Sequence, residues 1–175
     1  MRHRHALKTA AWAALGLAAV LLLARGLRSP GGGGPALGEA APGFSLPDVS
    51  GRRRDLASYK GKVVLLDFWA TWCPTCVEEL PDLKTLHARL DGRGAALLSI
   101  SLDEDPSAAA EFASAEGIPY PVLLADESVA RDYRIFGLPA KFLLDGEGRV
   151  RRAYLGESDL REVEKDAMDL LEGRL

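Results

Sequence analysis

Two cysteines, Cys73 and Cys76, stand three positions apart in a chain of 175 residues that has no others. Their number and spacing limit the chemistry. A disulfide framework needs more cysteines and closes longer loops. A tetrahedral zinc site needs two more ligands, and the histidines are only His3, His5 and His87, the first two in a basic tail. Thiol redox chemistry remains, with a partial metal site or a pair of inert thiols as the alternatives. The local run Asp67-Phe-Trp-Ala-Thr-Trp-Cys-Pro-Thr-Cys76 follows an apolar segment and opens a helical pattern. At such a junction Cys73 takes the N-cap and Pro74 the first helical position. Unpaired backbone N–H groups and the helix dipole favour a thiolate there, so Cys73 is read as the attacking nucleophile. Cys76, one helical turn in, is expected to be less exposed and to resolve the mixed disulfide by thiol–disulfide exchange.

The elements that position this pair follow from periodicity. Residues 62–68 (KVVLLDF) and 95–102 (AALLSISL) are short continuous apolar runs, the pattern of buried central strands. Residues 74–90 carry Val77, Leu80, Leu83, Leu86 and Leu90 at helical spacing, with Pro81 expected to kink the helix. Before them, residues 44–56 read as a hairpin turning at Gly51. After them come a helix over 106–116 capped by Asp105, a strand over 122–125 and a short helix over 128–134. Strands over 141–144 and 149–155 are joined by Asp145-Gly-Glu-Gly148. The last helix spans 158–171, with Asp159 and Glu162 spaced as a capping box. Alternating strands and helices that end in a hairpin predict an α/β fold with a mixed central sheet and helices on both faces. The cysteines lie where the first long strand ends, the edge at which open α/β sheets place their chemistry.

Residues 63–76, with Gly137-Leu-Pro-Ala-Lys-Phe-Leu-Leu-Asp145, resemble the thioredoxin superfamily. Gly38-Glu-Ala-Ala-Pro-Gly-Phe-Ser-Leu46 and Tyr59-Lys-Gly-Lys62 narrow the likeness to the membrane-anchored TlpA-like branch, which includes the thiol reductases of cytochrome c maturation. The resemblance covers roughly residues 37–172 and implies a thioredoxin-like fold with an N-terminal β-hairpin extension. It implies that Pro139 is cis and faces the cysteines, and that Leu138 pairs its backbone with a client chain. It implies that Asp67 is a buried acid relaying a proton to or from Cys76, and that Glu79 is a second acid that helps set the thiol pKa values. Trp72 would cover the pair, Trp69 would sit near it, and Trp72, Pro74, Thr75, Leu138 and Pro139 would form the client-binding surface. The bland readings are a trans turn proline, a carboxylate solvated at a strand end and an exposed helical glutamate. Two departures stand out. Ala140-Lys141 replaces the Thr-Thr frequent in the family and is expected to alter the groove wall. Asp67 stands where many members of the branch have Asn.

Composition excludes other classes. Apolar residues make up 47%, charged residues 27% and aromatic residues 7% of the chain, which fits a globular domain. Residues 1–38 hold five of the 22 basic residues and no acid, so the remainder sets 17 basic against 25 acidic residues, a net −8. An acidic domain argues against nucleic acid as a partner. Residues 1–28 read as a signal anchor or a cleaved signal peptide: a basic start, then sixteen uncharged residues from Thr9 to Ala24. Residues 29–36 are a Gly/Pro linker, and the domain is expected over 37–175. The clusters Arg52-Arg53-Arg54 and Arg149, Arg151, Arg152 read as solvated hairpin faces, and His87 as a surface residue.

The expected function is an extracytoplasmic reductase of client disulfides, held at the inner membrane or secreted after cleavage. It would need no cofactor and no metal. Electrons would come from a membrane thiol donor, and a client could be an apocytochrome c. A thiol peroxidase is an alternative, although Leu66 and Ala70 stand where the peroxidatic motif wants Pro and Thr. A Cu(I)- or client-binding module without turnover is another.

Overall fold

The computed structural model describes residues 34–175. A five-stranded sheet forms its centre, in the order β5-β4-β3-β6-β7. Central strand β3 (Val63–Trp69) is buried at all seven positions, as a run without polar alternation requires. It pairs in parallel with β4 (Ala95–Ser101), which pairs in parallel with β5 (Val122–Leu124). On its other side it runs antiparallel to β6 (Ala140–Leu144), which pairs with β7 (Val150–Leu155) through the expected 145–148 turn. Helices α1 (Pro74–Leu90), α2 (Pro106–Ala115), α3 (Glu127–Asp132) and α4 (Leu160–Leu171) connect and flank the strands. This is the mixed α/β sheet expected. Pro81 lies inside α1 without ending it. Helix α4 starts two residues later than read, and the Asp159 carboxylate bonds the Arg161 N–H instead of closing a capping box on Glu162.

The two faces of the sheet have separate cores, which β3 divides by its two-residue period. Val64, Leu66 and Phe68 point to one side, where Tyr133 and Phe142 pack on Phe68 with ring centroids 5.0 and 5.9 Å away. Val63 and Leu65 point to the other, against Leu83, Leu86 and Leu90 of α1 and Val163 and Ala167 of α4.

The N-terminal extension bonds to both edges of the sheet, at β5 and at the start of β7. Strands β1 (Ser45–Pro47) and β2 (Arg53–Asp55) form the hairpin, with Gly51 at φ +81° in its turn. The turn docks on the β5 edge through Val49 N–H to Val122 carbonyl at 2.9 Å. The segment before it bonds the β7 side through Gly38 N–H to Val150 carbonyl at 2.7 Å and Ala41 N–H to Gly148 carbonyl at 2.9 Å. The signal or anchor read over 1–28 and most of the linker lie outside the described residues. Among the described residues no helix is long and apolar enough to cross a membrane.

Candidate active site

Cys73 is the N-cap of α1 and Pro74 its first residue, as the junction requires. The Cys73 sulfur accepts the Cys76 backbone N–H at 3.3 Å, so one of the orphan donors of the helix start is aimed at it. The two residues are joined by a disulfide, with Cα atoms 5.3 Å apart. Cys76 is not the less exposed of the two: both are 5% exposed, packed in one small cluster with Trp69, Ala113 and Val122. Leu138 packs against that cluster, and the Leu138-Pro139 peptide is cis. A cis X-Pro bond is a minority state that tertiary contacts must hold. Here Pro139 is buried, its carbonyl accepts the Gly156 N–H at 2.8 Å, and β6 begins at the next residue. Trp72 is 66% exposed beside Cys73, with Pro74 exposed and Thr75 half-buried, so this side of the dyad presents an open surface.

Asp67 is buried, not solvated at a strand end. The strand period turns it to the α1 face of the sheet, with Val63 and Leu65. It lines a cavity of about 10 Å³ together with Cys76, Trp69, Ser99 and Tyr120. That is room for about one water and for no small-molecule substrate. The Trp69 Nε1 and the Tyr120 hydroxyl lie buried there without a hydrogen-bond partner among the described residues. Burial pushes the Asp67 carboxyl up to about 6; the Lys141 ammonium opposes the rise, Glu79 adds to it, and a bond from the Ser99 hydroxyl at 3.2 Å opposes it. A carboxyl near 6 changes protonation close to neutral pH, as a group exchanging a proton with a thiol must.

Glu79 is buried too, not an exposed helical residue. Its Oε1 accepts the Ser158 N–H at 3.2 Å and its Oε2 accepts from Lys141 Nζ at 2.5 Å. Lys141 is where the expectation fails. It does not line the client groove: its side chain is fully buried behind the dyad, with Nζ 3.9 Å from Asp67 Oδ1. The reason is register. Asp67 stands opposite Lys141 on one side and Ser99 on the other, so the three form one polar row across the sheet. Two signals for it were available: a lysine inside the apolar run Ala140–Leu144, and an aspartate of opposite sign inside Val63–Trp69.

Asp103, Ser99 and Tyr120 were also missed. Asp103 holds the loop that presents the dyad, accepting the Thr71 N–H at 3.1 Å, the Thr71 hydroxyl at 2.7 Å and the Ser101 hydroxyl at 2.7 Å. His87 is half-buried against Tyr120, with ring centroids 5.3 Å apart. The arginine clusters are engaged as well: Arg54 bonds Asp48 at 2.8 Å and Arg152 bonds Asp166 at 3.1 Å.

Residues 37–153 match the model of the AhpC/TSA family. Thiol-disulfide oxidoreductase ResA of Bacillus anthracis is 31% identical over 129 residues, covering 73% of this chain and 75% of that protein. ResA of Bacillus subtilis (strain 168) is 34% identical over 120 residues, covering 68% and 67%. A thioredoxin-family thiol:disulfide interchange protein from Chlorobium tepidum TLS has a similar structure, with a TM-score of 0.71 at 29% identity over 78% of this chain and 99% of that one. One from a Bacteroides species gives 0.68 at 28% identity, covering 79% and 94%. The family match spans Cys73, Cys76 and Pro139, and the chain belongs to the AhpC/TSA family as a ResA-like, thioredoxin-fold thiol-disulfide oxidoreductase.

Proposed function

We propose that this oxidoreductase reduces disulfides of extracytoplasmic client proteins, with Cys73 as nucleophile and Cys76 as resolving thiol. One observation carries the reading: a buried helix-capping cysteine sits between the exposed Trp72 and Pro74, while its partner shares a small cavity with a buried acid. In the reduced protein the Cys73 thiolate attacks a client disulfide. One client sulfur leaves as a thiolate, and a Cys73–client disulfide forms. Asp67 accepts the Cys76 proton, and the Cys76 thiolate attacks Cys73 Sγ. The Cys73–Cys76 bond forms, the Cys73–client bond breaks, and the client leaves reduced by two electrons. Trp72, Pro74, Thr75 and Leu138 form the surface the client meets, Leu138, ahead of the buried Pro139, offering its backbone to the client chain.

The direction and the compartment rest on the N-terminal segment. Its basic start and uncharged run suit export or anchoring at the inner membrane. An oxidising compartment demands a dedicated donor for a reductase, and a membrane thiol carrier is of the right class. The resemblance of residues 37–172 to the TlpA-like branch, which includes the thiol reductases of cytochrome c maturation, makes an apocytochrome c a candidate client.

The deciding measurement is the reduction potential of Cys73–Cys76 in the full-length chain, equilibrated against glutathione or dithiothreitol. A reductase requires a value at or below about −220 mV. A value near −120 mV, about that of a strong oxidant, would reverse the direction and leave the dyad chemistry standing.

A further inference from the structure

Lys141 has no part in the scheme above, yet it occupies a costly position. A buried ammonium is tolerated only when paired. One carboxylate would satisfy it; the fold supplies two, and supplies them unequally. Lys141 Nζ lies 2.5 Å from Glu79 Oε2 but 3.9 Å from Asp67 Oδ1. Glu79 is held from both sides, its second oxygen taking the Ser158 N–H. Asp67 has the single bond from Ser99 and the long ion pair. The other titratable groups that meet Asp67 are Cys76 from α1, on the far side of the shared cavity, and Tyr120 from the segment entering β5. Two acids and one base therefore meet in one buried cluster, and the two acids differ in how tightly each is held.

We propose that Lys141 is a positioning residue for the proton transfer at Cys76: by binding Glu79 closely and Asp67 loosely, it leaves Asp67 as the carboxyl that gains and loses the proton. The inference rests on the reading that Asp67 takes the Cys76 proton. The balance is simple. The Cys76 proton passes to the Asp67 carboxylate, the Cys76 thiolate closes the disulfide on Cys73 as the Cys73–client bond breaks and the client sulfur leaves as a thiolate, and the Asp67 proton then leaves to solvent. The Lys141 charge favours the ionised, proton-accepting form of Asp67, and the charge of Glu79 opposes it. Removing either partner must therefore move the reaction in opposite directions along the pH axis. Loss of packing alone would not produce that pattern.

The test uses the reduced full-length chain and one equivalent of Ellman's reagent in a stopped-flow instrument. The first nitrothiobenzoate leaves when Cys73 attacks, and the second when Cys76 closes the disulfide. The pH midpoint of the second phase is the readout. Lys141→Met is expected to raise that midpoint by about one pH unit or more, and Glu79→Gln to lower it. The double variant, which removes both charges together, is expected to return to within about half a unit of wild type. If Lys141→Met fails to fold, Glu79→Gln and the double variant carry the same requirement. Shifts of the two single variants in the same direction, or no shift in either while Asp67→Asn flattens the profile, overturn the role of Lys141 and leave that of Asp67 intact. An Asp67→Asn profile identical to wild type overturns both.

Discussion

Asp67 shows what burial does to one carboxyl. Its ordinary value is 3.8, and burial outweighs the opposing Lys141 charge to bring it to about 6. Because the folded state holds this proton more tightly than the unfolded chain, the contribution of Asp67 to stability is greatest below about pH 4 and falls as pH rises between the two values. Asp67→Asn should therefore stabilise the protein at pH 7, by about 1–3 kcal/mol, with the gain vanishing below about pH 4. Denaturant unfolding at the two pH values measures this. A variant equally stabilised at both would mean that the carboxyl charge is not the source. The same substitution should slow disulfide closure, so at this residue stability and chemistry pull apart.

The hairpin that covers the β5 edge depends on one carboxylate. Asp48 accepts from the Ser50 N–H at 2.9 Å, the Ser50 hydroxyl at 2.5 Å, the Arg52 N–H at 3.0 Å and Arg54 Nε at 2.8 Å. Burial works to raise its pKa, but these bonds outweigh burial and hold it at about 2. The sign is opposite to that at Asp67: the stabilisation is complete above about pH 4 and is lost as pH falls through about 2. Asp48→Ala should cost about 1–3 kcal/mol at pH 7, with the backbone amides of the turn exchanging hydrogen faster while those of β3 stay protected. Hydrogen exchange followed residue by residue checks both halves. Uniform loss of protection across the sheet would mean that the hairpin is not a separable unit. The same logic applies to Asp103, whose bonds to Thr71 carry the dyad loop.

At the scale of the molecule, the two cores share one strand. Phe142 packs in the core on the hairpin side and Leu86 in the core under α1. Truncating either to Ala should cost about 3–5 kcal/mol and 2–5 kcal/mol respectively. Because β3 contributes to both faces, each variant should still unfold in one calorimetric transition, with the two losses adding in the double variant. Two separated transitions in either variant would show that the faces unfold independently. Much of this architecture was readable along the chain. The apolar run of β3, the 3.6-residue spacing of α1, the Cys73 cap with Pro74 behind it and the turns at Gly51 and 145–148 are local signals, written in neighbouring residues. Glu79 and Asp67 were visible as acids at named places, but their burial was not, because burial depends on which elements close over them. Lys141 shows the difference. A lysine after the proline reads as part of a groove wall until the antiparallel register of β6 sets it opposite Asp67 and beneath Glu79. The amino-acid order by itself determined the redox pair, its helix-capping position and the strand-helix pattern, since each depends on residues a few positions apart. Only the tertiary structure decided which charges meet behind the dyad, because strand pairing joins residues more than sixty positions apart and no local pattern encodes that register.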